Sequence, residues 1–243
     1  MNFRDERTEV LMPLFAGVLG SLFFCAVIAV SYSDAFKPGK PAAVVAEIDE
    51  EADDAFFLSA SEIKNDPVLI YFRDPEYSEW VINFFASLCS NREIAQAILD
   101  NADEFDVPPA LAFALSWEES RFNPRAISRQ NRDGSVDRGL FQLNSRSFPD
   151  LELAAFFDIK SNARYGVGHL RHCINSSDSE ISALAMYNAG TGRVRSTGAP
   201  EVTLNYISRI LENRRVIESR FHTRLIREEE KRFLEKQESG DQP

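Results

Sequence analysis

The chain has 243 residues, room for one good-sized domain with appendages at roughly 150 residues per domain. A hydrophobic fraction of 44% with 27% charged residues excludes wholesale disorder. Twenty-seven Lys and Arg against 38 Asp and Glu leave a net charge of −11, which argues against a general nucleic-acid binder, and 3 Cys with 3 His are too few for a disulfide framework or a zinc ribbon.

The first element in chain order is the apolar stretch Val10 to Tyr32, which holds no charged residue. At 1.5 Å per residue it can span a bilayer core of about 30 Å. Two readings stay open: an uncleaved inner-membrane anchor, or a signal peptide cut near Ser33-Asp34-Ala35. A cleaved signal has a shorter apolar region, about 7–15 residues. Cys25 follows Phe24 rather than the small residue that lipoprotein processing wants. Either reading gives residues 1–35 to targeting and sends the rest out of the cytoplasm. Residues 36–66 read as a linker, because Lys37-Pro38-Gly39-Lys40-Pro41 breaks structure and the acidic run from Glu47 to Asp54 repels itself.

Residues 67–220 form the predicted domain, and its signals are mostly helical. Val68 to Phe72 is either a strand or a buried helix start. Ser90-Asn91-Arg92-Glu93 reads as a capping box with Ser at the cap, and Ser177-Asp178-Ser179-Glu180 as a second. Asp106-Val107-Pro108-Pro109 ends one helix and starts the next. Asn131 to Ser135 is a turn that can join two short strands. Gly190 stands where a helix C-cap wants a left-handed residue. Tyr206, Ile207, Ile210, Leu211 and Ile217 carry helical spacing, and residues 221–243 become a charged helical tail expected to be exposed.

The helix Pro109 to Ser120 has almost no polar face, so it is expected to be central and buried. It finishes with Glu118-Glu119-Ser120. Carboxylates at a helix C-terminus face the negative end of the macrodipole, and burial pushes the same way, toward a raised pKa. A carboxylic acid kept protonated near neutral pH is what a general acid needs to be. The bland alternative is that both glutamates fan out into water.

Glu119 to Ser128, reading ESRFNPRAIS, resembles the first motif of the lytic transglycosylases that cut bacterial peptidoglycan. Gly139-Leu140-Phe141-Gln142-Leu143-Asn144 is similar to their second motif, with Phe141 where Met is common. Met186-Tyr187-Asn188-Ala189-Gly190 resembles the third, Tyr206 falls where a late Tyr follows, and Asn162 with Gly166 through Leu170 resembles the helix between. The matches keep their order over roughly residues 95–212. The loop Asp133 to Ser145 is similar to the small SLT-type subgroup attached to secretion and pilus machines.

This resemblance implies a mainly α, lysozyme-like (α+β) domain with a cleft for peptidoglycan glycan strands, on the periplasmic side of the envelope. It implies that Glu119 is the single catalytic acid/base, cleaving between N-acetylmuramic acid and N-acetylglucosamine and closing the C6 hydroxyl onto C1 as a 1,6-anhydro ring. Ser120 and Gln142 match positions lining the site, Tyr187 and Asn188 match groups contacting the sugar, and Tyr206 matches a Tyr that hydrogen-bonds the acid. No cofactor or metal enters this reading. A secretion, pilus or flagellar apparatus is the implied partner.

Taken as residues alone, Tyr187 and Tyr206 also suit core aromatics, Gln142-Leu143-Asn144 a polar turn, and His169 and His172 a structural role. Phe84-Phe85 and Phe156-Phe157 read as core. A lysozyme-type hydrolase using Asp137 as second carboxylate, and an inactive glycan-binding scaffold, are the rivals. Cys89 and Cys173, the two Cys outside the apolar stretch, are a possible disulfide in an oxidising compartment.

Overall fold

The computed structural model describes residues 66–238. The targeting segment 1–35, the linker up to residue 65 and residues 239–243 lie outside the described residues. Among those described, no helix is long and apolar enough to cross a membrane.

The first helix, α1 (Pro67–Arg73), settles the ambiguity at Val68 to Phe72 in favour of helix. Asp66 caps it, its Oδ1 accepting from the Val68 and Leu69 amides at 2.9 and 3.3 Å, while Pro67 occupies the first turn where no amide is missed. Helix α2 (Ser78–Cys89) follows and stops at Ser90, whose φ of 54° is left-handed. The cap of α3 (Arg92–Glu104) is therefore Asn91 and not the expected Ser90: Asn91 Oδ1 accepts from the Glu93 and Ile94 amides. With two residues between helices, the first must close one and the second open the other. The same correction holds at α6 (Glu180–Ala189), where Ser179, not Ser177, caps by accepting from the Ser182 amide.

Helix α4 (Pro109–Ser120) begins and ends where its sequence predicts, and every residue from Pro109 to Ser116 is buried. A two-stranded antiparallel ribbon follows, β1 (Asp137–Arg138) with β2 (Leu143–Asn144), extended by a single bridge from Ile127 to Arg138. The Asn131 to Ser135 turn joins Ile127 to β1. Helix α5 (Ile159–Asn175), capped by Asp158, packs on α3 and α6. The short α7 (Thr191–Thr197) leads to α8 (Glu201–Glu238), a single helix of 38 residues. Mainly helical with one small ribbon, this architecture is consistent with the lysozyme-like fold the motifs imply.

The core gathers on α4, with the Phe85 and Phe113 rings tilted against each other at 4.3 Å and Leu111, Leu115 and Phe141 fully enclosed. Phe84 and Phe156 are buried as expected. One expectation holds only in part. The segment from residue 221 is helical and largely exposed as expected, but two of its residues are not: Phe221 and Leu225 are 3% and 6% exposed, and the Phe221 ring lies 5.2 Å from Phe84 and 5.4 Å from Trp80. Residues 210, 217, 221 and 225 of α8 keep one apolar stripe beneath the charged positions that dominate its composition. Further along, Tyr71 donates to Glu229 and the Arg232 guanidinium sits 4.3 Å over the Tyr77 ring.

Cys89 and Cys173 are not joined. Cys89 closes α2 with its thiol on the Asn91 carbonyl, while Cys173 is buried with Ala183 and Met186 in a separate apolar cluster.

Candidate active site

Glu119 sits in the last turn of α4, at the point where the buried helix reaches an open cleft of about 810 Å³. Asp137, Gln142, Asn144, His169, Tyr187 and Asn188 line the same cleft. Glu119 is half-buried as a residue and lines the cleft. Neither it nor Glu118 fans into water. Tyr206, buried on α8, donates to Glu119 Oε1 at 2.5 Å. Burial pushes the Glu119 pKa up to about 8, from an ordinary 4.5. The Tyr206 hydrogen bond opposes that rise, and the negative charges of Asp137 and Glu118 add to it. At neutral pH the group is a carboxylic acid with a proton to give.

The second-motif loop is held in place by α5. Asn162, 1% exposed, accepts from the Phe141 amide at 2.8 Å and donates to the carbonyls of Phe156 and Arg138 at 2.8 and 3.1 Å. Gly139 takes a φ of +78°, and a Cβ there would lie 2.1 Å from the Phe156 oxygen. Gly166 of α5 receives the Phe141 ring so closely that a Cβ would fall 2.3 Å from its Cγ.

These contacts set the remaining predicted residues. Gln142, at a left-handed φ of 46°, lines the cleft with its Nε2 donating to the Gly139 and Ala126 carbonyls. Tyr187 presents its ring to the cleft and donates its hydroxyl to the Phe141 carbonyl at 3.0 Å. Burial raises the Tyr187 pKa well above its ordinary value, so the hydroxyl stays protonated. Asn188 Oδ1 accepts from the Thr203 hydroxyl at 2.9 Å, which ties α6 to α8. Ser120 departs from expectation. It does not line the cleft; its hydroxyl turns back to the Leu140 carbonyl at 2.7 Å, so it braces the loop from behind.

Asp137 faces the cleft from β1, with Oδ1 accepting from Asn144 at 2.7 Å and Oδ2 from Asn131 at 3.1 Å. His169, read from sequence as structural, also forms part of the wall, its ring 4.9 Å from Tyr187 and 5.8 Å from Phe148. Burial, and then His172, lower its pKa. Its spacing from Asn162 and Gly166, one helical face of α5, was the available signal. Among the described residues, no three His, Cys, Asp or Glu side chains gather where they could hold a metal ion.

A buried acid on a helix end, above a cleft of amides and aromatic rings, is equipment for acid-assisted glycoside cleavage. The chain belongs to the SLT-type lytic transglycosylase family, whose substrate is peptidoglycan. Residues 96–207 match the transglycosylase SLT domain. The chain is also 31% identical, over 134 residues, to the invasion protein IagB of Salmonella typhimurium and of Salmonella typhi, an alignment covering 53% of this chain and 81% of each relative.

Proposed function

We propose that this protein cleaves the β-1,4 bond between N-acetylmuramic acid and N-acetylglucosamine in peptidoglycan without consuming water. The observation that carries the reading is Glu119, raised to about 8 by burial and held by Tyr206. Its carboxyl protonates the glycosidic oxygen as the bond to C1 breaks, and positive charge develops on the sugar. The muramic acid's own acetamido oxygen stabilises that centre, so no protein nucleophile is needed. Glu119, now ionised, takes the proton of the C6 hydroxyl as that oxygen bonds to C1, which closes the 1,6-anhydro ring and restores the acid. The C6 hydroxyl is tethered to the reacting carbon, so its attack has the advantage of proximity.

Asp137 is the one observation favouring a hydrolase, since it shares the cleft and could orient water. Both its oxygens are taken by side-chain amides, which supports a structural role in the loop. Product chemistry decides. Purified peptidoglycan digested with the protein is expected to yield muropeptides ending in 1,6-anhydro-N-acetylmuramic acid, each one water lighter than its hydrolysed counterpart. Reducing-end muropeptides as the main product would make it a lysozyme; no turnover would leave the inactive scaffold.

Membrane attachment through Val10 to Tyr32, or export by a cleaved signal there, would put the domain on the periplasmic side, where the wall lies. Protein retained in carbonate-washed membranes supports the anchor, and a soluble species beginning near Phe36 supports cleavage. The similarity to an invasion protein, with the secretion-type loop at Asp133 to Ser145, supports local wall opening for an envelope apparatus.

A further inference from the structure

The acid has a neighbour that the reaction above does not use. Glu118 precedes Glu119 in the last turn of α4, and its side chain is only 7% exposed. Arg209 of α8 grips its Oε1 through two guanidinium nitrogens, at 2.6 and 2.7 Å. Arg121 approaches Oε2 at 3.5 Å from the residue that ends α4, its guanidinium 4.6 Å over the Trp117 ring. Neither Glu118 nor Arg209 lines the cleft. Tyr206 and Arg209 are three apart, on one face of α8. One turn of α8 thus holds both glutamates: the hydroxyl of Tyr206 takes Glu119, and the cation of Arg209 takes Glu118.

We propose that the Glu118–Arg209 pair is a positioning clamp for the acid, fixing the last turn of α4 on α8 so that Tyr206 meets Glu119 and cancelling most of the negative charge beside it. The role rests on the acid chemistry proposed above. A charged carboxylate this enclosed is costly unless paired, and an unpaired Glu118 would also make ionisation of its neighbour harder. The pair therefore sets how readily Glu119 passes between the acid that starts the cleavage and the base that finishes it. The other groups facing Glu119 are Asp137 from β1, Tyr187 from α6, with His169 of α5 against it, and Tyr206 from α8. None of these groups is substituted in the variants below.

The clamp has a signature that a salt bridge acting only on stability lacks, because removing either of its opposite charges beside Glu119 moves the acid's titration in opposite directions. In the full chain labelled with ¹³C at glutamate carboxyls, with Glu119→Gln used to assign the signal, the Glu119 titration midpoint is read directly. Glu118→Gln is expected to lower that midpoint by about half a pH unit or more, and Arg209→Met to raise it by a similar amount. Arg209→Lys keeps the cation and should restore the native midpoint. The alkaline limb of turnover on peptidoglycan should move with the midpoint in each variant. Shifts in the same direction, or none, in variants whose spectra show them folded would overturn the proposal. Opposite shifts in a protein without turnover would keep the clamp and sink the function instead, so the two failures are distinct.

Discussion

Glu119 holds its proton because α4 ends buried, and that makes substitution of the two neighbouring glutamates unequal. Glu119→Gln keeps the shape and the Tyr206 contact but has no proton to donate, so turnover should fall about 10²–10⁴-fold, while Glu118→Gln costs far less. If Glu118→Gln is the dead variant, the register of the first motif is wrong by one residue. The same residue predicts a stability slope. Its folded pKa, about 8, lies above the ordinary 4.5, so the folded state holds this proton more tightly than the unfolded chain. That contribution is whole below the lower value and is lost as pH rises through the higher one. Relative to the wild type, Glu119→Gln should therefore gain at least about 3 °C in Tm between about pH 5 and about pH 9. A constant difference across that range would mean the acid is not buried in its protonated form. The end of α4 was legible because the helix announces itself by Pro109 and an unbroken apolar run, but the choice of Glu119 over Glu118 came only from the resemblance of ESRFNPRAIS to the first motif. The direction of Ser120 was not, since a serine at a helix end faces a ligand or a carbonyl equally well, and the choice lies with Leu140, twenty residues on.

At the scale of elements, the cleft depends on a loop that makes little regular structure of its own. Its shape is borrowed from α5, through Asn162 and the closeness of Gly166 to Phe141. Gly166→Ala would drive a methyl to 2.3 Å from the Phe141 Cγ, and the ring has nowhere to go within a filled core. Such overpacking costs about 1–3 kcal/mol and displaces the carbonyl that anchors Tyr187. Chemical denaturation should show the loss, and turnover should drop although Gly166 never meets the glycan. An unchanged midpoint would show that the loop yields freely. The helices α3, α4, α6 and α8 were legible from caps and periodicity, α1 stayed open between strand and helix, and the caps themselves were displaced at Asn91 and Ser179. Sequence offers several polar candidates within a short turn, and only the backbone geometry at Ser90 selects among them. His169 escaped because its partners, Phe148 and Tyr187, come from other segments.

At the scale of the whole described domain, α8 belongs to the core along much of its length. Burying Phe221 against Trp80, Phe84 and Phe85 makes Phe221→Ala a core substitution, with an expected loss of about 3–5 kcal/mol. Urea unfolding measures it; a loss below about 1 kcal/mol would return this segment to the status of an appendage. The charged composition after Arg220 hid the stripe, since Phe221 and Leu225 among charged neighbours carry little periodic signal until seen against α2.

The far end of α8 runs along α1 and the turn after it, where Glu229 accepts from Tyr71 and Lys236 lies 3.9 Å from Glu76. None of these residues borders the cleft. A fluorophore or an affinity handle fused beyond α8 is thus carried away from the cleft. If the proposed activity holds, the protein displayed on a bead by that end would still meet an insoluble sacculus, a practical advantage when the substrate itself cannot be brought into solution.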